Sequence, residues 1–235
     1  MPAPLSVVIP TLNAAEALPG TLRSLIEGLD AGLIRDLTLT DGGSTDDTRA
    51  IGLDAGAEVI ECKRGRGLQV ARGIAASRGE WLLILHADTE LAPGWAAEVL
   101  AHIAAHPGRA GYFRLRFRAT GLLPQIVAGW ANLRARLFAL PYGDQGLVIS
   151  KAQLEAVGGY PELPLMEDVA LARRLRRRLL PLATVASTSA SRYEAEGWVI
   201  RGARNGVTLL RYFSGADPAR LAKSYEASRE SSSAN

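Results

Sequence analysis

The chain has 235 residues, room for one large domain or two small ones. Its 48% hydrophobic and 22% charged residues are ordinary for a globular protein with a core, and its single cysteine, Cys62, excludes an intramolecular disulfide and suits a reducing compartment. The net charge of +3 suits anionic ligands or an acidic membrane surface, and no recognition motif for nucleic acid accompanies it, so none is expected as a partner.

Met1-Pro2-Ala3-Pro4 lacks a basic region, and the apolar run after it stops at Pro10, too short for a signal peptide or a bilayer span. A cytoplasmic location is expected, with a peripheral place on the inner face of a membrane left open. Leu5 to Ile9 is continuously apolar, as in a strand buried on both faces. Leu18, Leu22, Leu25, Ile26 and Leu29 then recur at helical spacing. A second strand carries Leu37 and Leu39 and ends at Asp41; Thr45 or Asp46 can cap a helix to about Ala55. Val59 to Cys62 reads as a third strand, with Cys62 packing in the core, and Gly67 to Ser77 as a helix of small residues able to lie close to a sheet. Trp81 to Leu85 is the fourth strand, and Pro93 opens the next helix.

The second half changes character. Tyr112 to Arg118 alternates apolar and basic residues, as in a half-exposed and antiparallel strand. Leu122 to Leu140 is a long amphipathic helix, Gln145 to Ser150 a buried strand and Val169 to Leu180 a basic helix. Helices are expected at Trp198 to Phe213 and Pro218 to Ala227, the first of them basic and amphipathic through Arg201, Arg204 and Arg211. It could lie on an anionic membrane, pack on the domain or meet a second copy of the chain. The expected division is a domain over 1–190, a helical extension over 191–227 and a disordered tail over 228–235. His102 and His106 lack a third ligand and read as surface residues.

Alternating strands and helices imply a mostly parallel α/β sheet, with the ligand beyond the carboxyl ends of the strands. Three of those ends carry polar loops: Pro10-Thr11-Leu12-Asn13, Asp41-Gly42-Gly43-Ser44 and His86-Ala87-Asp88. Asp41 either accepts hydrogen bonds from a base or ribose or caps the helix after it. Arg66, in a glycine-rich turn before a helix, either meets a diphosphate or is a solvated arginine. A carboxylate at the end of a buried strand is costly unless a cation or several donors satisfy it. Mg²⁺ or Mn²⁺ bridging Asp88 to a diphosphate would do so; the bland reading is a cap for the helix at Pro93. Asp144 and Gln145 sit in a glycine-flanked turn and either contact an acceptor or build the turn.

In order, "SVVIPTLN", "DGGSTDDT", "RGE", "HADTELAPG" and "MEDVALARRL" resemble a family 2 glycosyltransferase of the GT-A fold, from Leu5 to about Arg178. The resemblance implies a Rossmann-like, mostly parallel sheet with flanking helices and a helical C-terminal extension. It implies a nucleoside-diphosphate sugar as donor (UDP-sugar by default), an acceptor hydroxyl of open identity with lipid-linked acceptors among the candidates, and transfer with inversion. Pro10, Thr11, Asn13, Asp41, Arg66, His86 and Asp88 would bind the donor, and Asp144 and Gln145 the acceptor. Asp88 matches the metal-binding end of the family's D-x-D motif. His86 replaces its first carboxylate, as a ligand to Mn²⁺ or a hydrogen-bond partner of the donor. Gly42 stands where the family commonly has another Asp. Asp168 matches the base, in a first helical turn whose dipole favours the ionised form, with Glu167 beside it. Two rivals remain: a sugar nucleotidyltransferase, which would want a basic glycine-rich loop after the first strand, and a non-catalytic module that binds nucleotide sugars or docks on membranes.

Overall fold

The computed structural model describes residues 3–224. Its first half is a run of strand-helix units. β1 (Leu5–Thr11) leads to two short helices, α1 (Leu18–Ser24) and α2 (Ile26–Asp30), then β2 (Ile34–Asp41), α3 (Thr48–Asp54), β3 (Glu58–Glu61), α4 (Arg66–Ala76) and β4 (Trp81–Ile84). These four strands pair in parallel in the order β3-β2-β1-β4, with Val7 opposite both Leu37 and Leu83. The single helix expected over Leu18 to Leu29 is broken at Leu25. Pro10 lies inside β1, not at its end, at a point beyond the β1–β4 pairing, which stops at Val8, so the N–H it lacks is not needed as a donor to β4. Small residues do bring α4 onto the sheet: a β-carbon on Gly73 would lie 2.4 Å from Val8 Cγ1. Cys62 follows β3 and is half-buried, short of the core position expected of it.

The chain continues through β5 (Thr89–Leu91), α5 (Trp95–Ala105), β6 (Ala110–Phe117), α6 (Leu122–Phe138), a single 3₁₀ turn at Gly143–Gln145, β7 (Leu147–Ser150), α7 (Lys151–Ala156) and α8 (Glu167–Leu175). A 3₁₀ turn at Arg176–Arg178, β8 (Leu179–Thr188), α9 (Ser191–Glu196) and α10 (Trp198–Phe213) follow. The eight strands form one mixed sheet, β3-β2-β1-β4-β7-β6-β8-β5. The alternation in β6 is as expected: Phe113, Leu115 and Phe117 are buried and Arg114 and Arg116 exposed. Its pairing is not, because β6 touches antiparallel β7 at one register position and runs parallel to β8 over its length.

The basic helix expected to reach Leu180 ends at Leu175. Arg176 has a φ of 41°, which a right-handed helix cannot accommodate, and the chain turns into β8, a strand not anticipated from the sequence, as β5 was not. The last expected helix is present over 218–224; the rest of it and the polar tail lie outside the described residues. His102 is buried, not a surface residue, with its Nε2 3.0 Å from the Arg109 carbonyl. Among the described residues no helix is long and apolar enough to cross a membrane.

Candidate active site

The ends of β1 and β2 are stitched into one rigid rim. Asp41 is fully buried, and its Oδ2 accepts from the N–H groups of Gly43 (3.0 Å) and Ser44 (2.7 Å) while Oδ1 accepts from the Thr11 hydroxyl (3.1 Å). Burial would raise the pKa of Asp41, but hydrogen bonds led by Ser44 outweigh it and hold the carboxyl below its usual range. Asn13, in the left-handed region with φ 48°, accepts from the Thr45 N–H at 2.9 Å, and its own N–H donates to the Ser44 hydroxyl at 2.8 Å. Gln69 of α4 ties the two loops from below, donating to the carbonyls of Thr11 (2.8 Å) and Thr40 (2.7 Å).

Beside this rim, Pro10, Arg66, His86, Gly143, Tyr160 and Asp168 line one cavity. Five separate stretches meet there, and α4 and α8 start side by side. A β-carbon on Gly67 would lie 2.5 Å from the Leu163 carbonyl, so only glycine lets the chain leading into α8 pass so close. Met166, with φ 63°, is a strained left-handed residue that turns the chain into α8. Glu167 and Asp168 then occupy its first turn, where the sequence placed them.

Arg66 is the hub. Its Nε donates to Glu167 Oε1, its Nη2 reaches Asp168 Oδ2 at 3.3 Å and its Nη1 lies 3.2 Å from His86 Nε2. Burial opposes its charge, yet Glu167 and then Asp168 outweigh burial and raise its pKa further. His86 is held down to about 4 by burial first and by Arg66 second. It is therefore neutral, with Nε2 accepting from Arg66. Gly143 donates its N–H to Asp168 Oδ2 at 2.8 Å, and a β-carbon there would lie 2.5 Å from His86 Nε2. Asp144, next along, is pushed up to about 6 by burial, with Arg134 opposing, and its buried Oδ1 has no hydrogen-bond partner. Burial also raises Glu167, against Arg66, and leaves its Oε2 without a partner.

Asp88 stands just outside that cavity, and its charge bears on both His86 and Asp144, as does that of Asp168. It does not cap the helix at Pro93: Glu27 does so, accepting from the N–H groups of Gly94 (2.9 Å) and Ala96 (3.0 Å). Asp88 Oδ1 has contacts at 3.4 Å with the hydroxyls of Thr89 and Thr188, which leave the carboxylate largely uncommitted. Among the described residues no cluster of three or more His, Cys, Asp or Glu side chains is placed to hold a metal. A divalent cation would draw on Asp88, donor phosphates and water, a donor set that fits Mg²⁺ or Mn²⁺. As a further ligand, His86 would first have to release Arg66.

Of the expected site residues, the fold brings Pro10, Arg66, His86, Glu167 and Asp168 together, with Asp144 and Asp88 at the margin. Two expectations are corrected. Asp41 is enclosed by its own turn, so it shapes the loop after β2 and offers no free oxygen. Gln145 is fully buried, donating to the Phe113 carbonyl at 3.1 Å and accepting from the Tyr142 N–H at 3.3 Å, so it builds the turn and does not reach an acceptor. Thr11 is likewise buried in the rim, and Asn13 is occupied by Thr45. Tyr142, Gly143 and Tyr160 were missed. The "PYGDQG" stretch carried a signal for the first two, since an aromatic before a glycine turn suits a cleft wall; Tyr160 had none.

Residues 6–124, half of the chain, match the profile of glycosyl transferase family 2. A glycosyltransferase of PGL/p-HBAD biosynthesis from Mycobacterium bovis is 37% identical over 116 residues, which are 46% of this chain and 43% of that protein. Glucosyl-3-phosphoglycerate synthase from Mycolicibacterium paratuberculosis is 32% identical over 93 residues, 36% of this chain and 28% of that protein. The matches thus span under half the length of these relatives. Among solved structures, residues 1–349 of Staphylococcus aureus TarS superpose with a TM-score of 0.61 at 16% identity, covering 93% of this chain and 68% of that one. The Mycobacterium tuberculosis glucosyl-3-phosphoglycerate synthase with Mn²⁺ and UDP-glucose gives 0.54 at 21%, covering 79% and 69%. At such identities the likeness is one of fold, the GT-A architecture.

Proposed function

The chain belongs to glycosyl transferase family 2, and from that premise we propose that it moves a sugar, with inversion, from a nucleoside-diphosphate sugar to an acceptor hydroxyl. The observation that carries this reading is the meeting of Asp168, Arg66 and His86 in one cavity, from stretches up to 102 residues apart. Asp168 is the base. Arg66, Gly143 N–H and Val169 N–H orient its carboxylate toward the cavity, and it takes the proton of the acceptor hydroxyl. The acceptor oxygen then bonds to the anomeric carbon as the bond to the diphosphate breaks, and the electron pair leaves with the phosphate. Arg66, about a third exposed, is shared between the two carboxylates and the donor diphosphate. His86, neutral, orients Arg66 and the donor, and Asp144 stands on the acceptor side at the margin of the cavity, its buried Oδ1 without a partner.

Asp88, with His86 as the second candidate, is the protein's contribution to a divalent-metal site. When bound, Mn²⁺ or Mg²⁺ offsets charge on the leaving diphosphate. The mycobacterial synthase with Mn²⁺ and UDP-glucose, and TarS with UDP-GlcNAc, support a uridine donor as the first to try. The acceptor is a hydroxyl compound, a lipid-linked one among the candidates. A nucleotidyltransferase finds less support, since residues 12–17 after β1 contain no Lys or Arg.

Calorimetry with UDP-sugars, with and without Mn²⁺, together with transfer or slow donor hydrolysis, tests this reading. Asp168→Asn should bind donor normally and lose turnover by about 10²–10⁴-fold. Asp88→Ala should lose Mn²⁺-dependent donor affinity by about a hundredfold, the upper end of what losing even a supporting residue costs a metal site. Near-normal turnover by Asp168→Asn would remove it as the base.

A further inference from the structure

Two neighbouring helices turn apolar faces outward. On α6, Ile126, Trp130, Leu133 and Leu137 recur at spacings of three and four and are 46–64% exposed. On α10, Val199, Val207 and Leu210 are 55–72% exposed. The inner faces of the same helices are conventionally buried: Ala135 of α6 packs in one cluster with Leu209 and Tyr212, and Ala128 in another with Trp198. The outer faces of these two neighbouring helices therefore carry apolar side chains beyond what the fold needs, and clustered exposed apolar side chains mark an interaction site.

The charge around this surface is one-sided. Neither residues 121–143 nor residues 197–216 contain an Asp or Glu. Arg136 and Arg211 are exposed there. Arg201 and Arg204, which the sequence suggested for the outer basic face of α10, instead turn inward to Glu196, and this leaves the outward side of that helix mainly apolar. A second copy of the chain is a poor occupant, because a two-fold contact would set each patch, cationic and without a carboxylate, against its twin. Residues 225–235 hold one large apolar side chain, Tyr225, too little to cover both stripes. An apolar stripe with an interfacial-type tryptophan, on two helices that carry exposed arginines and no Asp or Glu, has the chemistry that an anionic bilayer surface complements.

We propose that the α6–α10 face docks on an anionic lipid bilayer. α6 leads directly into Pro141-Tyr142-Gly143, which line the cavity with Asp168, so docking sets the acceptor side of the site beside the lipid surface. This deepens the proposed transferase reading by favouring an acceptor held at a membrane, but the docking itself does not depend on donor chemistry. Vesicle binding and donor binding can therefore fail separately.

The experiment is co-sedimentation of the full chain with vesicles of phosphatidylglycerol and phosphatidylcholine, and with vesicles of phosphatidylcholine alone. Wild type should bind the anionic vesicles, and the triple variant Trp130→Gln/Leu137→Gln/Leu210→Gln should bind them about tenfold more weakly or worse. Because these side chains are exposed, the variant should keep the wild-type melting temperature and UDP-sugar affinity. Arg136→Gln/Arg211→Gln should weaken anionic binding while leaving the weak binding to neutral vesicles unchanged. Four results would overturn the proposal: no binding to anionic vesicles, equal binding of wild type to both compositions, a triple variant that binds like wild type, or a dimer in solution that the triple variant dissolves.

Discussion

At the ends of β1 and β2, the carboxylates of the turn are answered by donors within it: Asp41 by Thr11, Gly43 and Ser44, and Asp46 by Ala15 and Thr48. Across the cavity, at the start of α8 and in the turn before β7, charged groups crowd together with atoms to spare. Glu167 Oε2 and Asp144 Oδ1 are buried without partners, and Arg66 serves two carboxylates and a histidine at once. The first side is finished by folding, as suits a surface that must receive a ligand without rearranging. The second side is left electrostatically incomplete, as suits groups that exchange protons or change partners when a ligand arrives.

Removing the hub should break this contrast most visibly. Arg66→Ala leaves Glu167, 1% exposed, with no cation, and should lower stability by about 3 kcal/mol, the low end for a broken buried pair because Arg66 is itself a third exposed. Adding Glu167→Gln should recover much of that loss in urea unfolding. If Arg66→Ala unfolds at the wild-type midpoint, the cluster is no tighter than a surface ion pair.

Asp41→Ala should cost less, about 1–3 kcal/mol from the donors it strands. Its loss should weaken donor affinity through a loosened loop and leave the turnover of bound donor unchanged. A fall in turnover at saturating donor would mean that Asp41 reaches the reaction.

The finest effect is on pH. Burial holds His86 at about 4, against 6.5 ordinarily, and Asp144 at about 6, against 3.8. Between those values the unfolded chain binds more proton at His86 than the fold does, and less at Asp144. His86 thus adds stability as pH rises from about 4 to 6.5, whereas Asp144 removes it from about 3.8 to 6. The two slopes oppose each other in the wild type. Asp144→Asn should leave a stability that climbs with pH over this window, and His86→Gln one that falls. Urea midpoints measured from pH 4 to pH 7 check this, and slopes of the same sign in the two variants would sever these shifts from the cluster.

Much of the first half was legible because its strands are uninterrupted apolar runs and its loops begin at polar strand ends. Leu5 to Ile9 and Trp81 to Ile84 could be buried on both faces only in a covered parallel sheet. Asp168 was legible as a first-turn residue because "MEDVALARRL" has helical spacing after an acidic start. β8 was not. Its residues follow a run of arginines that continues a helical pattern, and what ends the helix is the positive φ of Arg176, which composition does not announce. Gln145 and Asp41 misled for a related reason. A polar residue at a turn reads the same whether its side chain faces a ligand or folds back on its own backbone.

The order of residues alone therefore determined which segments become strands and helices through β4, and which carboxylates stand at element ends, because periodicity and capping act over a few residues. Tertiary structure decided which of those polar groups remain available. Arg66 meets Asp168 across 102 positions only because glycine at 67 lets two chains pass within contact, and Asp41 is enclosed only because Thr11 arrives beside it. Availability depends on what packs against a group, and packing partners are chosen by the whole fold.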